Sequence, residues 1–118
     1  MIGVVLDGCR VSIGATGAPT LVDAGKSNLL ASVTRVSAGL YTFQLNPQYY
    51  KSLVAVLPAL SCVSGAGAIF YARYVEGSYN SSTGQFQVVT SNTTPAAADA
   101  TQNTALDLLI AFQRYSNI

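Results

Sequence analysis

Hydrophobic and polar positions alternate with a period of two along much of this chain, and glycine-centred turns break the alternation at short intervals. In Leu40-Tyr41-Thr42-Phe43-Gln44-Leu45, Tyr41, Phe43 and Leu45 share one side while Thr42 and Gln44 take the other, as in a half-buried strand. Ala31 to Val36 precedes it through Ser37-Ala38-Gly39, a link whose glycine suits a type I turn followed by a left-handed residue. A second hairpin is predicted from Ile69 to Val75 and Gln85 to Thr90. Asn80 opens its turn with a side-chain acceptor, and Gly84 closes it with a positive φ.

Shorter strands are predicted over Cys9 to Ile13, Thr20 to Val22 and Ser52 to Leu57, the last ended by Pro58. Asn46-Pro47 suits a turn or a single helical turn, and Ser91 to Gln102 reads as a loop of small residues. The run Leu106 to Tyr115 differs from the others. Leu106, Leu108, Ile110 and Phe112 make one apolar face, yet Leu109 and Ala111 make the opposite face apolar too. A strand covered on both sides is either central in its sheet or part of a subunit contact. Seven or eight short strands and no long amphipathic helix predict an all-β fold. The expected architecture is an antiparallel β-sandwich or barrel, jelly-roll or Greek-key like, in a single domain over residues 1–118.

Composition narrows the function. Hydrophobic residues make up 50% of the chain and charged ones 9%, and there is neither histidine nor tryptophan. Histidine carries most acid–base chemistry near neutral pH, so its absence argues against an enzyme. A surface this poor in charge favours association, and a part of an assembly is expected. The cations Arg10, Lys26, Arg35, Lys51, Arg73 and Arg114 are scattered and form no basic stripe, so no nucleic-acid partner is expected. No segment reaches the length of a membrane span: Ala55 to Ile69 is broken by Pro58, Ser61 and Ser64. Cys9 and Cys62 stand apart from any metal-binding spacing; they read as two buried thiols or as one disulfide, and no cofactor or metal is expected.

Individual residues suggest contacts rather than catalysis. Asp107 lies inside an apolar strand and needs a cationic partner, for which Arg35 or Arg73 is the candidate, within the subunit or across a subunit boundary. Leu109, Ala111, Tyr115, Asp107, Arg35 and Arg73 are therefore the candidate subunit-interface residues. Tyr41 and Tyr71 alternate with core positions, whereas Tyr49, Tyr50, Tyr74, Tyr79 and Tyr115 are candidates for contact surfaces. Gly65-Ala66-Gly67 lacks the third glycine and the βαβ setting of a dinucleotide loop. Residues 1–8 form either an ordinary first strand or a contact arm in which Ile2, Val4, Val5 and Leu6 add to a neighbour's sheet edge.

The run from Ala31 to Leu45, the Tyr79 to Phe86 hairpin and the Ala/Asp-rich loop leading into the final apolar strand together resemble small β-sandwich virion proteins of tailed bacteriophages. The resemblance covers about 90 residues and is one of style, without a catalytic or metal motif. It implies a non-enzymatic capsid decoration (cement) protein, homotrimeric, on the capsid surface of a virion assembled in the host cytoplasm. Its partners would then be its own copies and the major capsid protein or other virion proteins. A tail, baseplate or fibre component is the alternative, and a carbohydrate-binding module working through its tyrosines is a third.

Overall fold

A computed structural model of the chain describes residues 4–13, 19–21, 29–46, 52–62, 71–91 and 103–113. Among these residues there are eight strands and no helix: β1 (Val4–Ser12), β2 (Thr20–Leu21), β3 (Leu30–Ser37), β4 (Leu40–Leu45), β5 (Ser52–Cys62), β6 (Tyr71–Tyr74), β7 (Gln85–Ser91) and β8 (Asn103–Gln113). They form two antiparallel four-stranded sheets, β2-β1-β8-β5 (sheet I) and β3-β4-β7-β6 (sheet II), stacked as a sandwich and not closed into a barrel. The chain moves from sheet II to sheet I between β4 and β5, and again between β7 and β8. β4 pairs with β7 while β5 pairs with β8, so the two crossings interlock the sheets.

Both hairpins of sheet II follow their turn residues. Gly39, at φ 73°, turns β3 into β4, with a bulge between Arg35 and Ser37. In the second, the Asn80 Oδ1 accepts from the backbone N–H groups of Ser82 (2.9 Å) and Thr83 (3.3 Å). Gly84, at φ 74°, then returns its N–H to the Asn80 carbonyl at 2.7 Å. Positive φ suits glycine because a Cβ would crowd the following carbonyl.

The core lies between the sheets. Sheet I supplies Cys9, Val11, Val56, Leu106, Leu108, Ile110 and Phe112; sheet II supplies Leu30, Tyr41, Phe43, Leu45, Phe86 and Val88. Phe43 stacks on Phe86 with ring centroids 5.3 Å apart, and Tyr74 tilts against Phe86 at 6.2 Å. Thr90, fully buried on β7, donates its backbone N–H to the Gly39 carbonyl at 2.7 Å, which ties β7 to the first hairpin.

One expectation changes at this level, and two open alternatives are decided. β5 does not end at Pro58 but runs on to Cys62, with Pro58 opposite Leu108. It is an edge strand, and proline's missing N–H is tolerated at an edge. Residues 4–8 are not an arm: Val4, Val5 and Leu6 belong to β1 and pair with Gln113, Phe112 and Ala111. Ile2 lies outside the described residues, as do Tyr49, Tyr50 and Tyr115. A Cys9–Cys62 disulfide is also excluded. Cys9 sits opposite Leu108 on one flank of β8 and Cys62 opposite Asn103 on the other. Two strand spacings and five residue steps put them about 20 Å apart, against roughly 7 Å at most for a bridged pair.

Candidate functional site

The two outer faces of the sandwich differ sharply in chemistry. On sheet II, Ser32, Thr34, Thr42, Gln44, Gln85 and Gln87 point outward in a polar array. Three of its members are hydrogen bonded through their side chains: the Gln87 Nε2 donates to the Thr42 hydroxyl at 3.2 Å, and the Gln44 Nε2 donates to the Thr83 carbonyl at 2.6 Å. Val36 and Tyr71 are its exposed large apolar residues, and they sit on the edge strands β3 and β6.

Sheet I turns an apolar face outward. Strand register sets it out in rows across β1, β8 and β5: Leu6–Ala111–Ala55, Gly8–Leu109–Leu57, then Arg10–Asp107–Ala59. Polar residues bound it at both ends, with Ser52 and Gln113 joined by a 2.9 Å hydrogen bond at one and Ser12 and Ser61 at the other. Val54 is the extra residue of a bulge on β5 and also faces out. Leu6 (63% exposed), Leu57 (61%), Val4 (55%), Val54 (53%) and Leu109 (41%) are all on this side. Gly8 leaves a gap in the middle row. It forms a shallow open hollow of about 510 Å³, walled by Leu57 and Leu109 on one side and by Arg10, Ala59 and Asp107 on the other.

The local sequences dictate this arrangement. In β8 the even positions 106 to 112 enter the core, so Leu109 and Ala111 must emerge on the far side of the sheet. β5 has the same double character, with Val56 buried and Leu57 exposed.

One charged pair crosses the face. The Arg10 guanidinium contacts the Asp107 carboxylate through Nε (2.7 Å) and Nη2 (3.1 Å), a bidentate grip, and the Ser61 hydroxyl adds a hydrogen bond at 3.3 Å. The hydrogen bond from Arg10 holds the Asp107 carboxyl below its ordinary value, against a smaller opposing effect of burial. Half the Arg10 side chain and about a third of Asp107 remain exposed, 50% and 35%.

The sequence-predicted residues separate into two groups. Asp107, Leu109 and Ala111 lie on the sheet I face, joined there by Val4 and Leu6, whereas Val5 points inward and packs against the core. Within the subunit Asp107 pairs with Arg10 and not with the expected Arg35 or Arg73. Arg35 is half-buried on β3, opposite Tyr41, and Arg73 is exposed on β6, opposite Val89, both in the other sheet. Tyr71 is exposed rather than a core residue, while Tyr74 and Tyr79 are partly buried against the core rather than displayed. Gly8, Arg10, Val54, Leu57 and Ala59 were not anticipated. The uninterrupted apolar run from Leu53 to Leu57 was their one local signal.

The described residues contain no cluster of three or more His, Cys, Asp or Glu that could hold a metal ion. The arrangement suits recognition: a broad apolar surface, a central notch and one fixed pair of opposite charges. No protein-family model, curated protein or solved structure matches this chain.

Proposed function

We propose that this chain is a non-enzymatic structural protein of a tailed-bacteriophage virion. In this reading it is a homotrimeric capsid decoration (cement) protein that binds the assembled shell and stabilises it. The observation that carries the proposal is the contrast between the outer faces, one hydrogen bonded and polar, the other apolar and exposed over three strands. Exposed apolar patches of that breadth mark interaction surfaces on otherwise soluble proteins. The low charge content and the resemblance of the two hairpins to small virion proteins support the same reading.

A cement protein acts by adding contacts where capsid subunits meet. Each contact is modest, but repetition over a lattice raises the cost of separating neighbours through mass action and multivalency. A rigid interlocked sandwich suits that role, since little conformational entropy is lost when it docks. One face would hold the copies together while an end of the sandwich meets the shell.

The test uses heads from a phage carrying this gene, produced from a deletion of the gene. Purified protein added to such heads should co-sediment saturably, at a copy number set by capsid symmetry, and should raise the temperature at which the heads release DNA. Protein that never binds heads, or that co-purifies with tails alone, overturns the proposal.

A further inference from the structure

We infer that the outer face of sheet I is covered by a second copy of this chain, with the Gly8 hollow and the Arg10–Asp107 pair at the centre of the contact. The inference rests on the homo-oligomeric part of the proposed function and not on the place of the protein in a virion; because the contact sets one patch against itself, it joins copies two at a time, as a dimer rather than the trimer of that reading.

Area is the first argument. β8 spans 11 residues, and β1 and β5 flank it along nearly its whole length. At about 3.4 Å per residue and about 4.8 Å between strands, the face measures roughly 37 by 14 Å, or roughly 500 Å². Two copies face to face then remove about 1,000 Å² before side-chain relief is counted, which reaches the lower bound for a specific interface.

Charge is the second. Arg10 and Asp107 are neighbours in the row next to the Gly8 row, within an otherwise uncharged set, so the face is neutral and carries one charge of each sign. Such a pattern is its own complement: a copy related by symmetry offers a carboxylate to Arg10 and a guanidinium to Asp107. An apolar partner would leave both groups desolvated without new contacts, and a strongly charged one would meet a like charge. The hollow is walled by Leu57 and Leu109, and each copy also offers those leucines as the side chains to fill it.

The edges are less suited to assembly than the face. β5 carries Pro58 and a bulge, β3 carries two irregularities of register, and β2 and β6 are short. These are the devices by which natural sheets avoid edge-to-edge pairing.

The experiment measures solution mass by size exclusion with light scattering at micromolar concentration, with circular dichroism to check folding. Wild-type protein should be dimeric. Leu57→Lys, at an exposed position, should remain folded and weaken association by about a hundredfold or more, since each copy would desolvate an unpaired charge. Gln87→Lys, on the polar face, should leave the mass unchanged. Asp107→Arg and Arg10→Asp place two like charges on the face, so each alone should be monomeric. Mixed together, the two should form a hetero-oligomer, which a purely structural role for the pair would not produce.

A wild-type monomer, a Leu57→Lys protein of wild-type mass, or charge variants that fail to associate on mixing would overturn the inference. A multimer insensitive to these changes removes this face and leaves the proposed function standing. A multimer that responds as described but never binds heads removes the virion assignment and leaves the face.

Discussion

Leu108 and Leu109 are adjacent, chemically identical and on opposite sides of the central strand, so truncating each separates core burial from face burial. Leu108 is 2% exposed within the core, whereas Leu109 is 41% exposed on the outer face. Leucine to alanine removes about three carbon groups, worth roughly 2.4 kcal/mol at about 0.8 kcal/mol each when fully buried. For Leu108 the cavity left between the sheets adds to that, so Leu108→Ala should destabilise the subunit by about 3–4 kcal/mol. Leu109 keeps only part of its surface from water, and the outer face can relax into solvent, so Leu109→Ala should cost about 1 kcal/mol. Urea unfolding followed by circular dichroism, at protein concentrations low enough to separate the copies, measures both. The slopes should match that of wild type, so that the midpoints report stability directly. At high concentration the Leu109→Ala deficit should grow, because weaker association withdraws mass-action stabilisation. Equal costs for the two variants at low concentration, or a larger cost for Leu109→Ala, would refute the assigned register of β8.

Further outcomes follow from the same structure. The Asp107 carboxyl is held below its ordinary value, so its pairing contributes fully above the ordinary aspartate range, about pH 4. That contribution is lost as pH falls through the lowered value. Both side chains are partly exposed, so in the separated subunit the effect is only about 0.2–1 kcal/mol, and Asp107→Asn should flatten this part of the acid stability profile. Gly84→Ala forces an L side chain to φ 74° and should cost about 1–2 kcal/mol in a thermal melt, with a change under about 0.5 kcal/mol contradicting the turn geometry. Cys9 is 7% exposed, so in a Cys62→Ser background its thiol should react with a maleimide only as fast as the sandwich opens. Labelling at the rate of a free peptide thiol would contradict that burial.

The sequence was most informative where structure is decided locally. The turns at Gly39 and Asn80–Gly84 depend on residues within a few positions of one another, and the in–out alternation of Tyr41, Phe43 and Leu45 is a property of a single strand. The all-β class and the double-faced character of β8 follow from the same kind of signal. What was lost depends on which strands become neighbours. Arg10 meets Asp107 across 97 residues only because β1 lies beside β8, while Arg35 and Arg73 fall in the other sheet. Pro58 reads as a terminator in isolation; it is accommodated because β5 is an edge. Tyr74 packs on Phe86 and Tyr79 on the core because a short β6 and its irregular turn carry them inward rather than out to solvent. Of the candidate interface, the β8 residues were legible and the β1 and β5 rows were not, since a face exists only once register is set.

Site-directed cross-linking addresses most directly whether copies meet at sheet I. With Cys9 and Cys62 changed to serine, Leu57→Cys and Gln87→Cys proteins are exposed to a short bifunctional maleimide and read by denaturing electrophoresis. Covalent dimers from Leu57→Cys, with Gln87→Cys remaining monomeric on the gel, are the expected result. Cross-linking through Gln87→Cys but not Leu57→Cys would contradict the central claim.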